Sequence, residues 1–300
     1  MTARSRAAAR QEARAGLLFC LPAALYVAMF SGLPMLAAAW LSLHDWNLLK
    51  AQRPFVGLAN FAQLAADPFF RNAIGNSLLF AGLAAPLGVA SALAVAVLVS
   101  QPLRGVGLFR TLFFVPAVSS PVAVSMVWIW VLLPEVGLIN TVLSWLGATG
   151  STDFLNDTRF ALPALVALFA WIGLGPRMVI FLAGLQAIPK ALQEAADLDG
   201  AGPWQRFRHV TLPLLLPTTL FVFVTTTIAA FQAFTPVYIM TRGGPRRTTD
   251  VVAYHIFKEA WQNFEIGLAS AQTYVLFAIV AAAAAAQFWL MRRGLREESV

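Results

Sequence analysis

Long apolar runs alternate with short polar segments along the whole chain. Six runs are long enough for an α-helix to cross a hydrocarbon core about 30 Å thick, which takes roughly 20 residues. They are Leu17–Leu43, Asn72–Leu103, Thr111–Pro134, Phe160–Gly184, His209–Thr241 and Ile266–Met291. All fourteen acidic residues fall outside these runs, and Arg177 is the one Lys or Arg residue inside them. The pattern predicts an all-α polytopic membrane protein with six transmembrane helices.

The runs divide the chain into four predicted parts. Residues 1–16 and 292–300 are charged tails, residues 17–71 hold the first helix and an outer loop, and residues 72–291 hold the other five helices. In the outer loop, Asp67 and Pro68 predict the start of a helix on the membrane face, which turns into the second span at Asn76. A surface helix and a polar turn are predicted between the third and fourth spans.

The segment between the fourth and fifth spans, residues 185–217, has the pattern of a structured loop. Pro189 suits the first turn of a helix and Gly200 suits its C-terminal stop. Between them, apolar residues recur at helical spacing on one face: Ile188, Ala191, Leu192, Ala195 and Leu198. Lys190 and Glu194 are placed to pair at i,i+4 on the other face. Pro203 can open a second short helix, so a helix–turn–helix is predicted here.

Composition and charge support a membrane location. Of the 300 residues, 59% are hydrophobic and 12% are charged, whereas soluble chains carry about 25% charged residues. With the N-terminus inside, the predicted inner segments hold twelve Lys and Arg residues and the outer loops hold eight. This bias places both termini and the segment 185–217 in the cytoplasm. The net charge of +7 then indicates contact with anionic lipid and not with nucleic acid.

Several kinds of chemistry have no sequence signature here. The chain lacks a G-x-x-x-x-G-K-[ST] phosphate loop, and its three histidines lie in separate segments without metal-ligand spacing. The chain is therefore not predicted to be an enzyme or to bind a cofactor or metal itself. Without an acidic residue in any span, coupling to protons or sodium is disfavoured. Counting residues from Phe160 places Arg177 near the inner leaflet, where it can snorkel to the interface; a gate or a lipid-phosphate contact are the alternatives.

The structured loop resembles a known motif. Glu194-Ala195-Ala196, Asp199-Gly200-Ala201 and the following LPLLLP are similar to the EAA loop of ABC importer permeases, in the spelling of the carbohydrate branch. The segment TRGGPRRTTD after the fifth span resembles the T-x-GGP segment of one permease subtype in these importers. The resemblance implies a type I ABC importer permease fold with a cytoplasmic coupling helix. In that family the residue matching Glu194 contacts a basic or hydroxyl group in the cleft of a separate ATPase.

The resemblance also implies partners and a location. These are a second homologous permease, two copies of an ABC ATPase that binds ATP and Mg²⁺, and an extracytoplasmic solute-binding protein. The complex would lie in the inner membrane of a bacterium or archaeon and import a sugar-like solute, such as an oligosaccharide or glycerol 3-phosphate. A permease for an amino acid or peptide, and a membrane scaffold that conducts nothing, are the alternatives.

Candidates for the solute path are polar and aromatic residues within the spans. Sugars are held by amide and hydroxyl groups, with an aromatic face against the ring. The candidates are Gln232, Thr235, Phe231, Trp128 and Tyr238. Gln232 is costly to expose to lipid and is expected to face the bundle or the pore. Aromatic residues in an interfacial belt and threonines joining helices are the competing explanation for the others.

Overall fold

The computed structural model describes residues 3–101, 105–148 and 150–297, with side chains described between residues 15 and 290. Several arginines that contribute to the charge bias lie outside the described side chains: Arg4, Arg6, Arg10, Arg14, Arg104, Arg292, Arg293 and Arg296. The described backbone is mainly helical, and its β contacts are two isolated bridges. The prediction of an all-α protein is confirmed. The chain divides into two compact units.

The first unit consists of residues up to Ala66 together with residues 259–274. Its helices are α1 (Ala3–Val27), which continues through a π turn (Ala28–Gly32) into α2 (Leu33–Ser42), and α3 (Ala59–Ala66). The buried side-chain amide of Asn60 donates hydrogen bonds to the carbonyls of Ser42 and His44, at 2.7 and 3.0 Å. Because these carbonyls lie at and beyond the end of α2, Asn60 fixes the loop that follows the helix.

The second unit holds the remaining helices. They are α4 (Pro68–Ser100), α5 (Val106–Val118), α6 (Pro121–Val131), α7 (Leu138–Trp145), α8 (Ala161–Ile172), α9 (Leu174–Gln186), α10 (Lys190–Leu198), α11 (Pro203–Arg206), a π turn (Phe207–Thr211), α12 (Leu212–Leu214), α13 (Leu216–Phe231), a π turn (Val237–Thr241), α14 (Val252–Trp261) and α15 (Ile266–Glu297). The last two helices also supply the residues 259–274 of the first unit.

Three single helices are long and apolar enough to cross a membrane: Ala15–Ser42, Pro68–Ser100 and Ile266–Leu290. Three further candidates are bent pairs, α5 with α6 at 104°, α8 with α9 at 50°, and the stretch Pro203–Leu214 with α13 at 67°. The described chain therefore has six spans if each bent pair is one span. The predicted continuous apolar runs are correct in position, but three of them are broken helices.

Helix α4 is the central element of the second unit and packs against α8, α9 and α13. Small buried residues recur every four positions along one of its faces, at Ala84, Gly88, Ala92 and Ala96. Residues four apart share a helix face, and small side chains there allow neighbouring backbones to approach closely. The sequence pattern thus explains why three other helices can pack directly against this one.

Helix α4 begins where the sequence predicts, but it does not turn at Asn76. The Asp67 side chain accepts a hydrogen bond from the Phe69 backbone N–H at 2.8 Å, and Pro68 occupies the first turn. The helix is then continuous for 33 residues. Asn76 instead donates through its side-chain amide to the carbonyls of Arg247 and Asp250, at 2.7 and 3.1 Å.

Asn72, one turn earlier on the same helix face, also donates to the Arg247 carbonyl at 3.0 Å. The Arg247 guanidinium lies 3.7 Å from the centre of the Phe69 ring. These contacts attach the TRGGPRRTTD segment to the first turns of α4.

Candidate functional site

Helix α10 has the boundaries that the sequence predicts, and its C-terminal end is closed by a full Schellman motif. Pro189 is the N-cap residue, and Gly200 follows the C-cap Asp199 with φ +78°. The Ala201 N–H donates to the Ala196 carbonyl at 3.0 Å, and the Gly200 N–H donates to the Asp197 carbonyl at 3.1 Å. These two bonds define the motif, and its left-handed residue is normally glycine because a Cβ is unfavourable there.

A second contact, which the sequence did not predict, joins α10 to α11. One terminal guanidinium nitrogen of Arg206 donates to both carboxylate oxygens of Asp197, at 2.5 and 2.7 Å. The Gln205 side-chain oxygen accepts from the Gly202 N–H at 2.9 Å and so satisfies the start of α11. The spacing from Asp197 to Arg206 crosses the turn, so helical periodicity alone gives no signal for this pair.

The predicted pair of Lys190 and Glu194 is not formed. Within the part of the chain whose side chains are described, Glu194 makes no ion pair or hydrogen bond. Both residues are exposed, and an exposed i,i+4 pair gains too little to hold two long side chains in one geometry. The Glu194 carboxylate is therefore exposed to solvent.

The apolar face of α10 is uncovered. Ile188, just before the helix, is buried, whereas Leu192 is 44% exposed and Leu198 is 90% exposed. Trp204 at the start of α11 is 69% exposed and stacks on Phe207 with ring centres 5.7 Å apart. No residue of α10 is buried. An amphipathic helix normally hides its apolar face, so this surface has the character of an interaction site.

A cavity of about 330 Å³ lies in the second unit beside the end of α8 and the end of α13. Helix α8 ends at Ile172, and α13 ends at Phe231, after which the chain is non-helical until Pro236. The cavity is lined by Pro121, Phe169, Ile172, Gly173, Arg177, Ala229, Gln232, Ala233, Phe234, Thr235 and Pro236. Non-helical backbone within a membrane span is tolerated where it is buried in protein or lines a water-filled space. The non-helical residues after α13 line this cavity and are not spread over the outside of the bundle.

The structure brings two of the five solute-path candidates to the cavity and leaves three outside it. Gln232 and Thr235 line it. Phe231 belongs to the buried core, where it packs with other apolar side chains. Trp128 packs against the same core, and its ring centre lies 5.8 Å from that of Trp171. Tyr238 points into a different cluster.

That cluster consists of four aromatic residues: Phe234, Tyr238, Tyr254 and Phe257. The Phe234 and Tyr238 rings are stacked with centres 5.3 Å apart, and Phe257 lies 5.0 Å from Phe234. Phe234 belongs to both the cluster and the cavity lining. Burial, and secondarily the nearby Asp250 carboxylate, raise the pKa of Tyr254 above its usual range. The Tyr254 phenol is therefore uncharged at neutral pH.

Arg177 does not extend away from the bundle as an interface anchor. Its guanidinium donates to the Ala170 carbonyl at 3.3 Å and lies 5.1 Å from the Phe169 ring centre. The reason is the break at Gly173, which bends the span by 50° between α8 and α9. A residue count from Phe160 assumes a straight helix and so does not show that the side chain folds back onto α8. The sequence signal for this bend is the run Gly173-Leu174-Gly175-Pro176 just before the arginine.

A model of one protein family matches residues 84–293, which is most of the chain. That family is described as the inner membrane component of binding-protein-dependent transport systems. The chain belongs to this family. It is therefore a transport permease and not an enzyme.

Curated relatives agree with this assignment. The chain is 32% identical to the sn-glycerol-3-phosphate transport system permease protein UgpA of Yersinia pestis, over 93% of this chain and 94% of that protein. The UgpA of Agrobacterium fabrum is 35% identical over 78% of this chain and 80% of its own length. A probable ABC transporter permease of Pyrococcus horikoshii is 32% identical over 88% and 91%.

Solved structures show the same fold. A chain of a bacterial ABC transporter involved in the import of the acidic polysaccharide alginate has a TM-score of 0.80. The structural match covers 95% of this permease and 98% of that chain, with 24% sequence identity. The predicted type I ABC importer permease fold is confirmed. The family description also makes the permease an inner membrane component that depends on a binding protein.

Proposed function

We propose that this permease forms half of the translocation path of an ATP-driven importer for a sugar or sugar-like solute. A second homologous permease forms the other half, and two copies of an ABC ATPase bind ATP and Mg²⁺. Both termini and the loop 185–217 face the cytoplasm. In this proposal, Glu194, Ala195, Ala196, Asp199, Gly200 and Ala201 form the surface that contacts the ATPase.

The observation that carries the proposal is the uncovered apolar face of α10. Leu192 and Leu198 are exposed on a helix whose end is fixed by the Schellman motif and by the Asp197–Arg206 ion pair. A fixed helix can transmit movement from a partner to the spans on either side, α9 before it and α13 after it. The small side chains of Ala195 and Ala196 allow close approach by the walls of a cleft.

The cavity supports the sugar-like class of solute. Gln232 offers donors and an acceptor, Thr235 offers a hydroxyl, and Phe234 offers an aromatic ring within one lining. Hydrogen-bonding groups beside an aromatic face suit a polar ring. Two relatives are named for sn-glycerol 3-phosphate, which is a small polyol phosphate.

The test is ATP hydrolysis by the assembled complex. The permease is purified with its ATPase, and the hydrolysis rate is measured with empty and with solute-loaded binding protein. We expect the loaded binding protein to raise the rate. Glu194→Lys is expected to insert in the membrane normally but to abolish solute-dependent hydrolysis and uptake, because it reverses a charge on the surface that contacts the ATPase.

The alternatives give different results. A scaffold subunit would show no solute-dependent rate, and a permease for amino acids or peptides would respond to those solutes and not to sugars or polyol phosphates. Normal uptake by Glu194→Lys would contradict the assignment of α10 as the ATPase contact.

A further inference from the structure

Arg177 brings a positive charge to the cavity without a negative partner. Arg177 is one of the residues that line it. Among the residues whose side chains are described, none of the acidic ones forms an ion pair with Arg177. The sequence places every carboxylate of the chain outside the predicted spans. A charge in a membrane span is costly unless it is paired or hydrated, so this one requires an explanation.

A structural role uses only part of the hydrogen-bonding capacity of Arg177. The hydrogen bond to the Ala170 carbonyl caps the last turn of α8, and a basic side chain at a helix C-terminus is favourable. The Phe169 ring adds a cation–π contact. A guanidinium has five N–H donors, however, and within the described side chains Arg177 uses one of them. Most of its donors are therefore left for water or a ligand.

The helix ends around the cavity do not supply the missing negative charge. Helices α8 and α13 end beside it, at Ile172 and Phe231, and present partial negative charges. Helices α6 and α9 begin beside it, at Pro121 and Leu174, and present partial positive charges. These contributions offset one another. The net charge of the cavity is then that of the guanidinium.

Two glycines provide the space that the guanidinium occupies. A Cβ on Gly88 of α4 would lie 2.6 Å from one terminal nitrogen of Arg177, and a Cβ on Gly173 would overlap the other. The group is thus held between α4 and the break that precedes α9. A Cβ at either glycine would displace the guanidinium from this position, where Arg177 lines the same cavity as Gln232 and Thr235.

We propose that Arg177 binds the anionic group of the transported solute, a carboxylate or a phosphate, as that solute passes the cavity. The inference rests on the proposed function, because it takes the cavity to be part of the translocation path. A guanidinium can hold either anion through two parallel hydrogen bonds. Gln232 and Thr235 would bind the neutral polar part of the same solute. Arg177 would then make the permease selective for acidic or phosphorylated sugars over neutral ones.

The test compares uptake of matched neutral and anionic probes by the complete importer in proteoliposomes with its own binding protein. The pairs are glucose with glucuronate and glucose with glucose 6-phosphate. The measured quantity is the ratio of anionic to neutral uptake. Since every sample contains the same binding protein, a change in this ratio comes from the permease. The variants are Arg177→Gln and Arg177→Lys. The control is Arg159→Gln, which removes a charge from the exposed Asp157–Arg159 pair.

We expect the wild-type ratio to favour at least one anionic probe, and Arg177→Gln to lower that ratio about tenfold, the loss of one charge-assisted interaction. Arg177→Lys should retain part of the ratio, and Arg159→Gln all of it. A variant that folds poorly lowers both uptakes and leaves the ratio unchanged.

An unchanged ratio in Arg177→Gln, with ATP-dependent uptake of both probes, would overturn the anion inference and leave the importer intact. If Arg177→Gln lowers the uptake of both probes equally and leaves the ratio unchanged, the charge serves the fold or a lipid phosphate. That result would also overturn the anion inference. Uptake that does not depend on ATP in any sample would instead refute the proposed function.

Discussion

Leu198→Ala separates the stability of the permease from its affinity for the ATPase. Leu198 is 90% exposed, so truncating it removes almost no contact within the chain, and its effect on stability should be within about 0.5 kcal/mol. If the ATPase covers this side chain, the substitution withdraws methylene-sized groups worth about 0.8 kcal/mol each from the interface. The expected loss of binding free energy is about 2 kcal/mol, or about thirtyfold in Kd.

The assay is a titration of the purified ATPase onto nanodiscs that contain the assembled permease pair. Binding is measured for the wild type, for Leu198→Ala and for the control Leu146→Ala, whose leucine is 78% exposed just after α7. We expect the control to bind like the wild type. An unchanged Kd for Leu198→Ala, with the thermal stability also unchanged, would show that the ATPase does not cover the apolar face of α10.

Three further substitutions test the end of α10, the cavity and the attachment of the TRGGPRRTTD segment to α4. Gly200→Ala places a Cβ at φ +78°, and this backbone strain costs about 1 kcal/mol. The solute-stimulated ATPase rate should therefore fall about fivefold, whereas Gly200→Asn should retain most of it. Equal rates for both variants would contradict this. Gln232→Leu should change the apparent solute affinity or the uptake rate by about twofold to tenfold, since it removes one hydrogen-bonding side chain. Uptake kinetics equal to those of the wild type would exclude Gln232 from the path. Asn76→Ala removes the hydrogen bonds to the backbone around Arg247, so trypsin should cleave there faster; an unchanged digestion rate would show that this attachment is dispensable.

The sequence predicts elements whose limits are set by local chemistry. The start of α10 follows from Pro189 and its end from Gly200, because a proline fixes the backbone and a glycine tolerates the left-handed conformation. The start of α4 follows from the Asp67 cap and Pro68 in the same way. The positions of the apolar runs also follow, because the thickness of a membrane sets their length.

The helix breaks could not be placed from the pattern. The apolar runs continue through Ser119-Ser120, Gly173 and Gln232, so hydropathy gives no sign of where each helix ends. The prolines mark the breaks only in part. Pro121 begins α6 after a bend, whereas Pro86 lies within the continuous helix α4. Whether a proline interrupts a helix depends on the packing of its neighbours, which a single sequence does not contain.

The positions of the solute-path candidates also follow only in part from the sequence. Gln232 and Thr235 reach the cavity as expected of polar residues in a span, but Phe231 is one residue from Gln232 and is buried in the core. Which side a residue faces depends on the exact end of α13. The contact of Asn76 with Arg247 joins residues 171 positions apart and requires the tertiary fold.

Cross-linking from α10 is the most direct test of the coupling claim. The chain has one cysteine, Cys20, so Cys20→Ser provides a background without thiols. In that background, Ala195→Cys is labelled with a photoreactive maleimide in the assembled importer, and Leu146→Cys serves as the control. We expect a covalent product of permease and ATPase from position 195 and not from position 146. A product with the solute-binding protein from position 195, or no product with the ATPase, would contradict it.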